Sequence, residues 1–177
     1  NTNILDCTKL GSNNRNLLVR CKLSAHKFFF LCEIVSFTEE NLDKILSRDW
    51  VLPGSDASLR SPKGPLSRDF PHPRAYGTMP TFYRRLRRLG FSMEQAVKRM
   101  TSDVAARFEI KSRGVIRKGA YADVIIWDEH AFKASSTYEN PHLLSSGIYY
   151  AIINGKVSRF RDGNVSIAHG GRFLERS

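Results

Sequence analysis

Trp50-Val51-Leu52-Pro53-Gly54-Ser55-Asp56 is an apolar run that stops at small residues and an acid; Pro71-His72-Pro73-Arg74-Ala75-Tyr76-Gly77-Thr78 follows it after a proline-studded interval. Read as a buried strand, Trp50 to Pro53 delivers the Asp56 carboxylate to the rim of a sheet or barrel, where enzymes built on parallel strands keep their chemistry. Asp56 is thus the first candidate functional residue. Ser-Asp is also common turn chemistry, since both side chains bond to nearby backbone groups. Residues 57 to 73 hold Pro62, Gly64, Pro65, Pro71 and Pro73 and read as a long loop. A connection of that length inside a domain usually has a task, such as covering a site.

Working outward, one helix is expected after Thr78 to about Leu89. Ser92 and Gln95 then make a capping box for a second helix with Ala96, Val97 and Met100 on its inner face. A short third helix runs from Ser102 to Phe108. From Arg113 the period becomes strand-like: Val115-Ile116, Ala122 to Trp127, Ile148 to Ile153, Lys156 to Phe160 and Val165 to Ala168. Asn154-Gly155 is a hairpin signal because both positions accept positive φ, and Asp162-Gly163 marks another turn. Upstream, Thr38 followed by Glu39 and Glu40 reads as an N-cap with acids in the first turn of a helix through Leu42, Ile45 and Leu46. Lys27 to Val35 is a Phe-rich strand, and Gly11-Ser12-Asn13-Asn14 is a loop.

With 41% hydrophobic and 25% charged residues in 177, the chain has the composition of a globular protein. No apolar run reaches the roughly 20 residues that span a bilayer, so no membrane partner is expected. Cys7, Cys21 and Cys32 are too few and too widely spaced for a disulfide framework or a Cys-x-x-Cys site, which favours reduced thiols and a cytoplasmic location. The net charge of +11 raises the question of a polyanionic partner. Its densest run, Arg84-Arg85-Leu86-Arg87-Arg88, lies on a helix whose apolar stripe is Phe82, Leu86 and Leu89. The arginines then cover the opposite, wet face, and the run lacks the interleaved aromatics that stack on bases. Nucleic acid is not the expected partner.

The ordered series Gly54-Ser55-Asp56, His72-Pro73-Arg74-Ala75-Tyr76-Gly77-Thr78, Ser92 to Thr101, Arg113 to Ile116, Gly119 to Asp128, Gly147-Ile148 and Ile153-Asn154-Gly155 resembles the N-acyl-D-amino-acid deacylases (D-aminoacylases) of the amidohydrolase superfamily. From about Phe37 to Arg176 it is similar to the C-terminal part of such an enzyme. A closed α/β barrel takes about 250 residues, so a complete one does not fit. The resemblance therefore implies an α/β fragment: 1–110 as the C-terminal portion of the metal-dependent hydrolase barrel, and 111–177 as part of the small β-sandwich beside it. The N-terminal barrel portion is the missing partner. Implied for the parent is zinc-dependent hydrolysis of the amide bond of N-acyl-D-amino acids. The alternatives are an amidohydrolase of the dihydroorotase or hydantoinase kind, acting on cyclic amides, and a non-catalytic basic remnant.

The resemblance assigns Asp56 the general base and acid role, with a possible second role as metal ligand. It assigns Arg74 the grip on the substrate's α-carboxylate, for which a planar guanidinium suits two parallel hydrogen bonds. His72, between two prolines, is open to three readings: substrate or metal contact, loop brace, or no role. The brace is favoured. His26, His130, His142 and His169 show no His-x-His or His-Glu-x-x-His spacing. A catalytic Zn²⁺ usually has three protein ligands, so the metal cage belongs to the missing portion and the chain alone is expected to be inactive. Gly114, Gly119 and Asp123 read as marks of the fold.

Overall fold

Thr38, in extended backbone, accepts a hydrogen bond from the Asn41 N–H at 3.1 Å and opens α1 (Glu39–Leu46) as the N-cap signal predicts. Glu39 and Glu40 sit at the positive end of the helix dipole, and Lys44 pairs with Glu40 one turn on. The computed structural model describes residues 4–6, 18–23, 30–35, 38–165 and 170–174. It forms two units, Asn1–Arg48 and Asp49–Ser177. In the first, β1 (Ile4–Asp6), β2 (Leu18–Leu23) and β3 (Phe30–Val35) make an antiparallel sheet in that order, with Cys21 opposite Cys32. Cys7, the Gly11–Asn14 loop, residues 27–29 of the expected strand, His26 and His169 lie outside the described residues.

In the second unit, α2 (Arg74–Arg88) begins four residues before Thr78, because Pro73 already has helical backbone at φ −52°. Ser92 and Gln95 close the capping box of α3 (Met93–Met100) in both directions, and α4 (Ser102–Arg107) follows. The chain then turns into β4 (Val124–Trp127), β5 (Ile148–Ile153) and β6 (Lys156–Arg159), antiparallel in that order. Asn154 and Gly155 take φ of 50° and 78° in the β5–β6 turn, the left-handed pair that a two-residue hairpin demands. Tyr83, Trp127 and Phe132 meet edge to face at 4.9 to 5.8 Å, joining α2 to β4 and the segment after it. Phe82, Leu86, Ala96 and Ala105 complete the core.

Three expectations need correction. Trp50 to Pro53 is not a strand, and Trp50 is 75% exposed. A parallel strand needs ladder partners, and no strand among the described residues pairs with this segment; the Val51 carbonyl is taken instead by the Arg99 guanidinium, Nε at 3.1 Å. Val115-Ile116 is likewise irregular, and Val165 makes only an isolated bridge to Arg159, with 166–168 outside the described residues. Arg85 does not lie on a wet face. It stands three residues after Phe82 and next to Leu86, inside the apolar stripe, and is buried.

Candidate functional site

The residues on either side of the long loop come together. Asp56 sits in the left-handed region at φ 49°, a conformation that Asp tolerates better than most residues, and its Oδ2 accepts from Arg74 Nη2 at 2.8 Å across 18 positions of sequence. The side chains are 87% and 45% exposed, so the pair lies open to solvent. Turn chemistry is present too, as Ser55 Oγ receives a long bond, 3.4 Å, from the Ala57 N–H. The turn reading of Ser-Asp thus has its physical counterpart at Ser55, while the Asp56 carboxylate is engaged by Arg74.

Two arginines outside this pair organise its approach. Arg99 is buried with its guanidinium over the Phe82 and Phe91 rings, at 5.3 and 5.2 Å, and its bond to the Val51 carbonyl ties the segment leading to Asp56 onto α3. Desolvation by burial lowers its pKa from the usual arginine value. Arg60 pairs with Asp69 across the loop, within which Pro65–Ser67 makes a single 3₁₀ turn. The loop is thus braced from inside.

His72 lies at the start of α2 and acts on it directly. Its Nδ1 accepts the Arg74 backbone N–H at 3.0 Å, satisfying a donor that no helical carbonyl reaches. Its Nε2 is 2.9 Å from the Tyr138 hydroxyl, with the rings edge to face at 5.1 Å. The same long connection between β4 and β5, residues 128–147, reaches α2 at further points. Ser136 Oγ donates to the Pro73 carbonyl at 2.8 Å, and His142 Nε2 is 2.8 Å from the Asp69 carbonyl. Ser145 Oγ donates to the Tyr76 carbonyl at 2.5 Å. That last acceptor is free because Pro80, inside α2, has no N–H to return to position 76. Gly77 permits the approach: a Cβ there would stand 2.7 Å from Ser136 Oγ and 3.0 Å from the Ala134 Cβ.

Away from this site, Glu129 collects the Tyr83 hydroxyl at 2.6 Å and Arg87 Nε at 2.8 Å. These two bonds hold its carboxyl below the usual range, while burial and the Glu129 bond push the Tyr83 phenol up to about 12. Asp123 accepts the Asn154 N–H at 2.8 Å and pairs with Arg113, whose side chain is 9% exposed. Sequence reasoning missed Arg99, Ser136, Tyr138 and Ser145. None stands in a spacing that points across the chain; Pro80 inside a helix was the one available signal of an unfilled carbonyl.

Residues 41–159 match the model of the amidohydrolase family. The chain belongs to the amidohydrolase family. It is 31% identical over 141 residues to a D-aminoacylase of Alcaligenes xylosoxydans xylosoxydans, covering 78% of this chain and 28% of that protein. An N-acyl-D-aspartate deacylase of the same organism is also 31% identical, over 67% of this chain and 23% of its own length. Among solved structures, a D-aminoacylase described with a binuclear metal centre superposes with a TM-score of 0.69 at 34% identity, over 79% of this chain and 28% of that one. An N-acyl-D-glutamate deacylase from Bordetella bronchiseptica, complexed with zinc and a phosphonate inhibitor, gives 0.60 at 30% identity, over 71% and 26%. The chain thus spans about a quarter of the length of these amidohydrolases, whose names place their chemistry on C–N amide bonds. Among its described residues no three His, Cys, Asp or Glu side chains gather as a metal cage, and no helix is long and apolar enough to cross a membrane. One exposed carboxylate, already paired with Arg74, does not fit zinc by itself.

Proposed function

We propose that this segment is part of an enzyme that hydrolyses the amide bond of N-acyl-D-amino acids. Residues 1–110 belong to its barrel and 111–177 to its small β-sandwich. The observation that supports this most is the 2.8 Å pairing of Asp56 with Arg74, since it joins in one place a carboxylate able to move a proton and a guanidinium able to hold an anion. Asp56 takes a proton from the attacking water and passes it to the departing amine. Arg74 grips the free α-carboxylate through two parallel hydrogen bonds, a ligand that takes the place of Asp56 on the guanidinium. Zinc belongs to the proposal for the whole enzyme; Asp56 offers it one ligand, and among the described residues no three His, Cys, Asp or Glu side chains gather to supply the rest.

The purified 177-residue chain should release no amino acid from N-acyl-D-substrates. In the longer enzyme that contains it, Asp56→Asn should lower kcat by about 10² to 10⁴, and Arg74→Lys should act chiefly on KM. Activity of the isolated chain that disappears on Asp56→Ala would overturn its expected inactivity, while a preference for cyclic amides, or indifference to Arg74→Lys, would overturn the reading.

A further inference from the structure

We propose that Tyr138 is a positioning residue that aims Arg74 by holding the His72 ring where it caps α2. This rests on the reading of Arg74 as a carboxylate grip. The Arg74 backbone N–H points at His72 Nδ1 at 3.0 Å, so that nitrogen carries the lone pair and the neutral ring must hold its proton on Nε2. Nε2 is 2.9 Å from the Tyr138 hydroxyl, which accepts that proton's hydrogen bond. A ring with the opposite tautomer would set an N–H against the Arg74 N–H and lose that bond, whereas the Tyr138 hydroxyl, able to donate as well as accept, would keep its own. The Arg74 N–H thus sets the tautomer, while Tyr138 fixes where the ring stands by holding its far nitrogen, and the cap fixes the backbone from which the Arg74 side chain reaches Asp56.

Tyr138 is itself held in place on both sides. Ser136, two residues before it, is bonded to the Pro73 carbonyl, and Ser145, after it, fills the Tyr76 carbonyl that Pro80 leaves open. His142 reaches the Asp69 carbonyl on the loop that precedes the helix. Residues 136–145 thus lie along the His-Pro-Arg turn, and the absence of a side chain at Gly77 lets them come close. The turn that presents Arg74 is shaped by a segment more than 60 positions downstream.

Nitrogen NMR of the histidine-labelled 177-residue chain tests this without catalytic activity. His72 should show the tautomer with the proton on Nε2, and Tyr138→Phe, which keeps the ring, should shift the Nε2 resonance by removing its hydrogen-bond partner. Exchange of the Arg74 amide should quicken about fivefold in Tyr138→Phe, as loss of one hydrogen bond implies. His72→Asn, which places an acceptor where Nδ1 was, should keep that protection. His72→Gln, whose amide reaches only the Nε2 position, should lose it; a residue that merely packs would make the two variants alike. A second arm titrates N-acetyl-D-leucine against the Arg74 guanidinium resonance, with weaker binding expected in Tyr138→Phe. The positioning role is overturned by a proton on Nδ1, by unchanged exchange of the Arg74 amide in Tyr138→Phe, or by equal, measurable ligand binding in the two proteins. Faster Arg74 amide exchange in Tyr138→Phe beside a guanidinium that meets no ligand in either protein supports the brace and overturns the carboxylate grip instead.

Discussion

At Asp123 burial and hydrogen bonding oppose one another. Burial favours the neutral acid, but the Asn154 N–H and the Arg113 guanidinium outweigh it, and the carboxyl ends below its usual value. A folded-state pKa below the unfolded one means that the contribution to stability is present above the unfolded value, about 3.9, and is lost as pH falls through the folded one. Asp123→Ala should therefore cost about 1.5 to 3 kcal/mol near neutral pH, because it also takes the charged partner from a guanidinium that is 9% exposed and keeps only the Asn154 Oδ1 bond and the Tyr121 ring. Urea denaturation should show the gap from the wild type closing as the solution is acidified below that range. A gap that stays constant down to strong acid would mean that the ion pair contributes nothing. The sequence marked Asp123 as belonging to the fold but did not name Arg113 or Asn154 as its partners, since neither spacing is a local one.

The helices and the hairpin were legible because their signals act over a few residues. Ser92 accepts from the Gln95 N–H at 3.2 Å, and Gln95 Oε1 accepts from the Ser92 N–H at 2.7 Å, so both halves of the box are formed. Ser92→Ala should lower stability by about 1 kcal/mol, read as a shift in the denaturation midpoint; an unchanged midpoint would remove the cap from the account. Gly147 is a different case, quoted from sequence only as part of a resemblance. It has φ 89° at the entry to β5, and a Cβ would lie 2.5 Å from the Phe132 backbone nitrogen and 2.6 Å from the Ala131 carbonyl carbon. Backbone cannot step aside as a side chain does, so Gly147→Ala should cost more than about 2 kcal/mol. Thermal unfolding of that variant at the wild-type midpoint would contradict the packing described.

Over the whole molecule the charge of +11 is less available than it reads. Within the run at 84–88, Arg85 is buried, Arg84 donates to the Phe132 carbonyl at 3.1 Å, and Arg87 serves Glu129 and the Phe91 carbonyl. Arg84 and Arg87 join α2 to the segment after β4, which is structural work. Binding to single-stranded DNA should accordingly be weak, with a log–log salt slope no steeper than about −2. Tight binding that collapses with added salt would restore the polyanion reading.

The amino-acid order by itself determined the caps, the turns, the helices between Thr78 and Arg107 and the membership of the amidohydrolase family, because these rest on neighbours one to four residues apart or on motifs in series. Tertiary structure alone decided that Trp50 to Pro53 is no strand, that Arg85 is buried, and that Asp56 meets Arg74. It also brought Ser136, Tyr138, His142 and Ser145 onto the His-Pro-Arg turn. Those outcomes depend on hydrogen-bond partners 18 to 73 positions away, and a backbone carbonyl or a ring nitrogen carries no mark in the sequence of which distant donor will reach it.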